Sequence, residues 1–322
     1  MQLAYIGPAA DRLLRARLLK SRAGIPFAMR RILIQFDTDP VPSVFDRVVA
    51  VDAGIDELFS YGDVASDMVE PLVHGAIFTR GPADLKNTAI YIGGSDVEAG
   101  QQLFDKVKST FFGPLRVSVM IDSNGSNTTA AAAVLAARKH VDLKDRTALV
   151  LGGTGPVGIR AAQLLAREGA RVRVGSRSLE RAEAAATAMA SAVPGADVTG
   201  VSTANPQDVE KACAGVEVLI AAGAAHATLL SAAQRQAIHT LKVAIDLNAV
   251  PPAGLEGIEV TDKAAERDGA VAYGAIGVGG TKMKIHRACL AKLFEANDQL
   301  LNTVAIYEVG QVLGTSASSN PG

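Results

Sequence analysis

From Arg31 onward the chain alternates between short apolar runs and amphipathic stretches. Ile32–Phe36 reads as a buried strand, and Ser43–Ala50 as a helix with Ser43 at its N-cap. Ala89–Ile92 reads as a second strand. Asp96–Phe111 follows as a helix with Val97, Leu103, Phe104 and Val107 on one face. Arg116–Ile121 is a third strand, which runs through the polar stretch Asp122–Asn127 into the alanine-rich helix Thr128–Lys139. A second series starts at strand Thr147–Leu151. It continues through helix Pro156–Arg167, strand Arg171–Val174, helix Leu179–Ala192 and strands Val218–Ala222 and Val243–Leu247. Gly279–Phe294 and a short stretch near Val304–Leu313 read as closing helices. Strands that alternate with helices imply parallel βαβ units, so the fold class expected is α/β.

Composition narrows this picture. At 322 residues, the chain is long enough for two domains. Its 32 Lys+Arg nearly cancel 33 Asp+Glu, for a net charge of -1, which argues against a nucleic-acid partner. No apolar run approaches the roughly 20 residues that span a bilayer, so no membrane partner is expected. Cys213 and Cys289 are too few for a disulfide framework, which fits a cytoplasmic protein, and they lack neighbouring Cys or His for a local zinc site. Residues 1–28 differ from the rest: Arg12, Arg15, Arg17, Lys20 and Arg22 face only Asp11. They read as a targeting or membrane-surface segment, or as an extension ahead of a functional start near Met29; the extension is the expectation. The body beyond them is then more acidic than the whole chain, and capture of an anionic ligand must rest on local groups.

The most informative local signal is Gly153-Thr-Gly-Pro-Val-Gly158, a G-x-G-x-x-G turn between strand and helix. Gly153 is expected to permit the tight turn, Gly155 to let a pyrophosphate approach the backbone, and Gly158 to let helix and strand pack. With Thr154, Pro156 and Val157, these residues form the expected dinucleotide site, the phosphates meeting the helix N-terminus. The next strand ends in Gly175-Ser-Arg-Ser178, without the carboxylate that holds an NAD ribose. Ser176 and Arg177 therefore suggest a 2′-phosphate and favour NADP, with NAD still possible.

Two further loops follow strands: Asp122–Asn127, and the turn Asp37-Thr-Asp-Pro40. Each reads as a ligand site or as a capped turn. A second glycine cluster, Gly274–Gly280, expected to allow close approach to a ligand, precedes Lys282, Lys284 and His286. The two lysines lie two apart and cannot share a helix face, so at most one reaches a site. His286 is a possible acid/base.

Several segments together resemble the bacterial NAD(P)-dependent methylene-tetrahydromethanopterin dehydrogenases: Gln35–Asp39, Pro42–Asp46, Phe111–Pro114, Asp122–Thr129, Gly153–Gly158 and His286–Cys289. The resemblance implies two α/β domains with a cleft between them. A pterin-binding domain would comprise residues 29–140 plus 285–322, and a Rossmann-like NAD(P)-binding domain residues 141–284. It implies hydride transfer from the methylene carbon of a tetrahydromethanopterin derivative to nicotinamide, with no metal. Lys282 matches the lysine at the pterin carbonyl edge. Asp37, Asp39, Asp122, Asn124, Ser126, Asn127 and Thr128 match the substrate side, and Ser178 stands where NADP-specific members carry a second basic residue. A homo-oligomer is expected. The alternatives are a methylene-tetrahydrofolate or shikimate-type dehydrogenase, or a non-catalytic dinucleotide-binding sensor.

Overall fold

The computed structural model describes residues 29–318, so the expectation for residues 1–28 lies outside the described residues. The first sheet has the order β12-β4-β3-β1-β2 and is parallel throughout. Its strands are β1 (Ile32–Asp37), β2 (Glu57–Tyr61), β3 (Thr88–Gly93), β4 (Ser118–Ile121) and β12 (Leu300–Leu301). The second sheet has the order β10-β11-β9-β8-β5-β6-β7. Its strands are β5 (Thr147–Leu151), β6 (Arg171–Ser176), β7 (Val198–Ser202), β8 (Val218–Ala221), β9 (Val243–Asp246), β10 (Lys263–Arg267) and β11 (Ala270–Tyr273). In this sheet, β10 is the antiparallel strand. The fold is α/β, as the alternating pattern implies.

Helices join the strands: α1 (Val44–Asp52), α2 (Val69–Ile77), α3 (Val97–Thr110), α4 (Ser126–Arg138), α5 (Pro156–Arg167), α6 (Leu179–Ala192), α7 (Pro206–Cys213), α8 (Ala232–Gln236), α9 (Ala275–Lys292) and α10 (Thr303–Ser318). Ser43 caps α1 as expected: its Oγ accepts from the Asp46 N–H at 3.2 Å. The hydrophobic pattern did not reveal β2, β7, β10, β11, α2, α7 or α8. These are short, and several are only half-buried; β7 reads Val-Thr-Gly-Val-Ser, with no buried residue to set a period. Among the described residues no helix is long and apolar enough to cross a membrane.

Two structural differences concern glycines. The left-handed residue of the dinucleotide turn is Gly152 (φ +69°), not Gly153. At Gly153 a Cβ would stand 2.8 Å from the Val150 carbonyl and from Val174 Cγ1, so that position needs glycine for packing. Helix α9 starts at Ala275 rather than at Gly279, so Gly277 lies inside it and not in a loop before it. Gly277 sits so tightly on the Asp262 carbonyl that no side chain fits. This glycine therefore serves helix packing, not approach to a ligand.

In each sheet the first strand has neighbours on both sides, and the chain departs in both directions from it. Order reverses between β1 and β3, and again between β5 and β8. In open parallel sheets the crevice beyond the strand C-termini at such a point is where ligands bind. The loops after β1, β3 and β4, and the turn after β5, are placed there by topology alone.

Helix α4 joins the two sheets. It runs from the end of β4 toward β5, and α5, α9 and α10 all pack against it. Ala130, Ala131, Ala132 and Ala133 are each fully buried, so alanine lets three helices approach closely. One continuous apolar core passes from Leu33 and Met120 through these alanines to Val150 and Val174. Ala132→Leu is expected to overpack this contact at a cost of about 1–3 kcal/mol. Calorimetry should show a melting temperature several degrees lower, while Ala184→Leu, on the exposed face of α6, leaves it nearly unchanged.

Candidate active site

The turn after β1 is held by Asp37. Its carboxylate, fully buried, accepts from the N–H groups of Asp39 (2.9 Å) and Ser43 (3.0 Å) and from Gln35 Nε2 (3.2 Å). Asp39 then reaches to the loop after β3, where its carboxylate accepts from the Ser95 N–H at 3.0 Å and Ser95 Oγ at 2.6 Å. Gly94 (φ +91°) packs against Thr38, so a side chain there would overlap it.

The loop after β4 is organised by Asp122. This buried carboxylate accepts from the Asn127 N–H (2.9 Å), the Thr128 N–H (3.0 Å) and Thr128 Oγ1 (2.6 Å), satisfying the free donors at the start of α4. Ser126 Oγ donates to the Ser123 carbonyl at 2.7 Å. Asn124 (φ +55°) and Gly125 (φ +57°) turn the chain outward, an asparagine-glycine pair suited to that conformation.

These loops and α9 enclose a cleft of about 280 Å³ lined by Asp39, Ser43, Phe45, Asp46, Gly94, Ser95, Asn124, Gly125 and Lys282. Lys282 Nζ lies 4.7 Å from the Phe45 ring centroid, a cation–π contact. It also crosses Gly125, where a Cβ would come within 2.7 Å of Nζ. Lys284 is exposed, so one lysine of the pair reaches the cleft. Of the substrate-side residues expected from sequence, Asp39, Asn124 and Lys282 line the cleft. Asp37, Asp122, Ser126, Asn127 and Thr128 are buried behind it; all but Asn127 spend their polar atoms on the loops, whereas Asn127 bonds to Arg160 and Thr303 and to the Ile121 carbonyl. Sequence reasoning did not assign Phe45, Asp46, Tyr91 or Arg160 to the site. Phe45 and Asp46 lie within the quoted segment Pro42–Asp46, which was the available signal.

Behind Lys282 lies a buried stack. The His286 ring lies 5.7 Å from that of Tyr91 with 21° between planes, and 6.4 Å from that of Phe45. Burial, and then the Lys282 charge, push the His286 pKa down to about 3. His286 is therefore uncharged near neutral pH and a poor proton acceptor there, and its ring nitrogens are buried, which argues against the acid/base role suggested by sequence. Burial raises Asp46 above the usual carboxylate range, opposed by its bond to Ser43 and by Lys282. Burial raises Asp122 to about 6, opposed by Thr128 and Lys282.

The dinucleotide side is built on the turn after β5. The Gly153 N–H donates to the Gly175 carbonyl (2.9 Å) and the Gly155 N–H to the Gly152 carbonyl (3.0 Å). No side chain caps α5, and Pro156 opens it, so Val157 and Gly158 keep backbone donors at the helix N-terminus. A Cβ on Gly158 would meet the turn backbone, which keeps helix and turn in contact. This uncapped, tightly turned helix start fits a diphosphate. Thr154 lies beside the turn, with its Oγ1 3.5 Å from Ser176 Oγ, and Ser176 Oγ accepts from the Ser178 N–H. Arg177 is exposed beside them.

Comparison with known proteins decides the family. Residues 44–124 match the model described as methylene-tetrahydromethanopterin dehydrogenase, N-terminal. The chain is 45% identical over 284 residues to the "Bifunctional protein MdtA" of Methylorubrum extorquens, covering 88% of this chain and 98% of that one. It is 36% identical over 267 residues to the same organism's "NAD(P)-dependent methylenetetrahydromethanopterin dehydrogenase", covering 80% and 90%. The chain belongs to the methylenetetrahydromethanopterin dehydrogenase family. It is an oxidoreductase that uses a nicotinamide cofactor. Among solved structures, the shikimate 5-dehydrogenase of Listeria monocytogenes shares its fold, with a TM-score of 0.53 at 13% identity over 87% of this chain and 96% of that one.

Two of the buried titratable groups of this dehydrogenase, His286 and Asp122, act against each other. His286, lowered from 6.5 to about 3, makes the fold lose stability as pH falls from about 6.5. Asp122, raised from 3.8 to about 6, makes the fold gain stability as pH falls from about 6, because the folded state takes up the proton first. In Asp122→Asn this opposing contribution is lost. Urea unfolding at pH 7 and pH 4.5 should then show a drop on acidification larger than wild type by on the order of 2 kcal/mol.

Proposed function

We propose that the enzyme oxidises methylene-tetrahydromethanopterin to the methenyl form by direct hydride transfer to NADP, with NAD also accepted, in cytoplasmic one-carbon metabolism. What carries the reading is Lys282 over Phe45 in a polar cleft, in a chain whose relatives bear that name. In the proposed division, residues 29–140 with 285–322 hold the pterin and 141–284 hold the dinucleotide. The working assembly is an oligomer of identical chains; the exposed Val44, Val48 and Val51 on α1 support that expectation.

In this reading, Asp39, Asn124 and Lys282 contact the pterin, and Phe45 offers the heterocycle an aromatic face. Asp37, Asp122, Ser126, Asn127 and Thr128 hold the loops that place those contacts. Gly153, Thr154, Gly155, Pro156, Val157 and Gly158 seat the diphosphate, and Ser176 and Arg177 meet the 2′-phosphate. The nicotinamide ring supplies the carbon that accepts the hydride. The methylene carbon lies between two nitrogens, and as its C–H bond pair departs, their lone pairs spread the positive charge. No proton leaves the reacting carbon, so no general base is needed, in keeping with a neutral His286. Lys282 Nζ holds and polarises the pterin carbonyl edge, while Asp46 and Asp122 offset its charge where the cation forms. Holding donor carbon and acceptor in contact is the main source of rate.

Three measurements test this. NAD(P)H formation should be seen with methylene-tetrahydromethanopterin and be weaker with methylene-tetrahydrofolate; no turnover of the first would sink the proposal, and turnover of shikimate would redirect it. Lys282→Ala should lower kcat/KM by roughly a hundredfold, the scale of losing one charged transition-state contact; an unchanged value removes its role. Arg177→Ala should raise KM for NADP about tenfold, as for one charge-assisted bond, and leave that for NAD unchanged. Equal effects on both would exclude contact with the 2′-phosphate.

A further inference from the structure

A hydrogen-bonded line runs from the glycine turn to the substrate loop. Arg160, one turn into α5, donates from Nη1 to the Pro156 carbonyl at 2.9 Å and from Nε to Asn127 Oδ1 at 2.6 Å. Asn127 is 1% exposed. Its Nδ2 donates to the carbonyl of Ile121, the last residue of β4, at 2.6 Å. Its Oδ1 also accepts from Thr303 Oγ1, at the start of α10, at 2.6 Å. Both polar atoms of the side-chain amide are thus engaged, and the guanidinium grips both ends of the connection at once.

The place of this line matters more than its strength. Pro156 is the first residue of the helix whose N-terminus faces the diphosphate. Asn127 belongs to the loop whose Gly125 is crossed by Lys282. Asp122, which organises that loop, also attracts the Arg160 charge. A shift at Arg160 therefore moves the cofactor turn relative to the lysine and the loop that face the substrate. Lysine cannot replace it, because a single ammonium lacks the planar fork that makes both donations.

We infer that Arg160 is a positioning residue that sets the separation of cofactor and substrate for hydride transfer, acting through Asn127 and Thr303. This rests on the function proposed above. Misplacement of reacting atoms by about 1 Å costs on the order of a hundredfold in rate. Substrate and cofactor would still bind, because the groups that touch them remain.

The test is Arg160→Met, which keeps the stem and removes the donors, beside Arg160→Lys and the milder Thr303→Val. Arg160→Met should lower kcat by roughly 10–100-fold, with both KM values and the NADPH dissociation constant within about threefold. The deuterium isotope effect with methylene-labelled substrate should rise as the hydride step becomes limiting. Arg160→Lys should recover little of the loss, and Thr303→Val should show a smaller loss of the same kind. A kcat within twofold of wild type overturns the proposal. So does an NADPH affinity more than tenfold weaker, which would make Arg160 a phosphate ligand instead. Independently of turnover, NADPH should slow amide exchange across residues 121–128 in the wild-type enzyme and not in Arg160→Met. Exchange that responds equally in both overturns the coupling even if the substrate proves to be a different one.

Discussion

The structure depends on how closely α4 lets its neighbours approach. Alanine at 130–133, 136 and 137 keeps most of the buried face of this helix small where α5, α9 and α10 pack on it. That closeness puts the start of α5, which carries the dinucleotide turn, beside the start of α4, which carries the substrate loop. It also lets Lys282 reach over Gly125 from α9. A larger core there would still bury apolar area, but it would separate the groups that have to meet. Catalysis by orientation places this demand on packing, because it has no acid or base to compensate for poor geometry.

The same closeness sets the electrostatics. Asp122 is buried because it caps α4, and capping supplies the three donors that make a buried carboxylate tolerable. Lys282 adds a counter-charge, yet burial still dominates and raises Asp122 to about 6. His286, one turn beyond Lys282, gains no such donors and stays neutral. The cleft therefore has the Lys282 cation with Asp39 and Asp46 in its lining and the buried carboxylates of Asp37 and Asp122 behind it. In the proposed reaction, that arrangement suits a neutral heterocycle edge that becomes cationic as it reacts.

The residues behind the cleft show how a ligand motif and a folding motif coincide. Asp-Ser-Asn-Gly-Ser-Asn-Thr has the composition of a heterocycle-binding loop and also of a capped turn. The capped-turn reading describes Asp122, Ser126, Asn127 and Thr128, whose side chains are bonded to protein atoms, whereas Asn124 is exposed at the cleft. The Arg160–Asn127 contact has no local sequence signature, since 33 residues separate the partners. It exists because β4 and β5 lie in different sheets joined through α4.

By itself the sequence determined the alternation of strand and helix, the glycine turn after β5, the N-cap at Ser43 and that Lys282 and Lys284 cannot share one helix face. Each of these follows from interactions between residues a few positions apart, or from the helical repeat. Short elements such as β7 and α8 carried too little pattern to be read. The tertiary structure alone decided that Gly152 makes the tight turn, that Gly277 is a packing residue and that His286 is neutral. It also decided that Arg160 ties the two ligand loops together. Burial, and contact across distant segments, cause all four, and neither exists until α4 brings the sheets together.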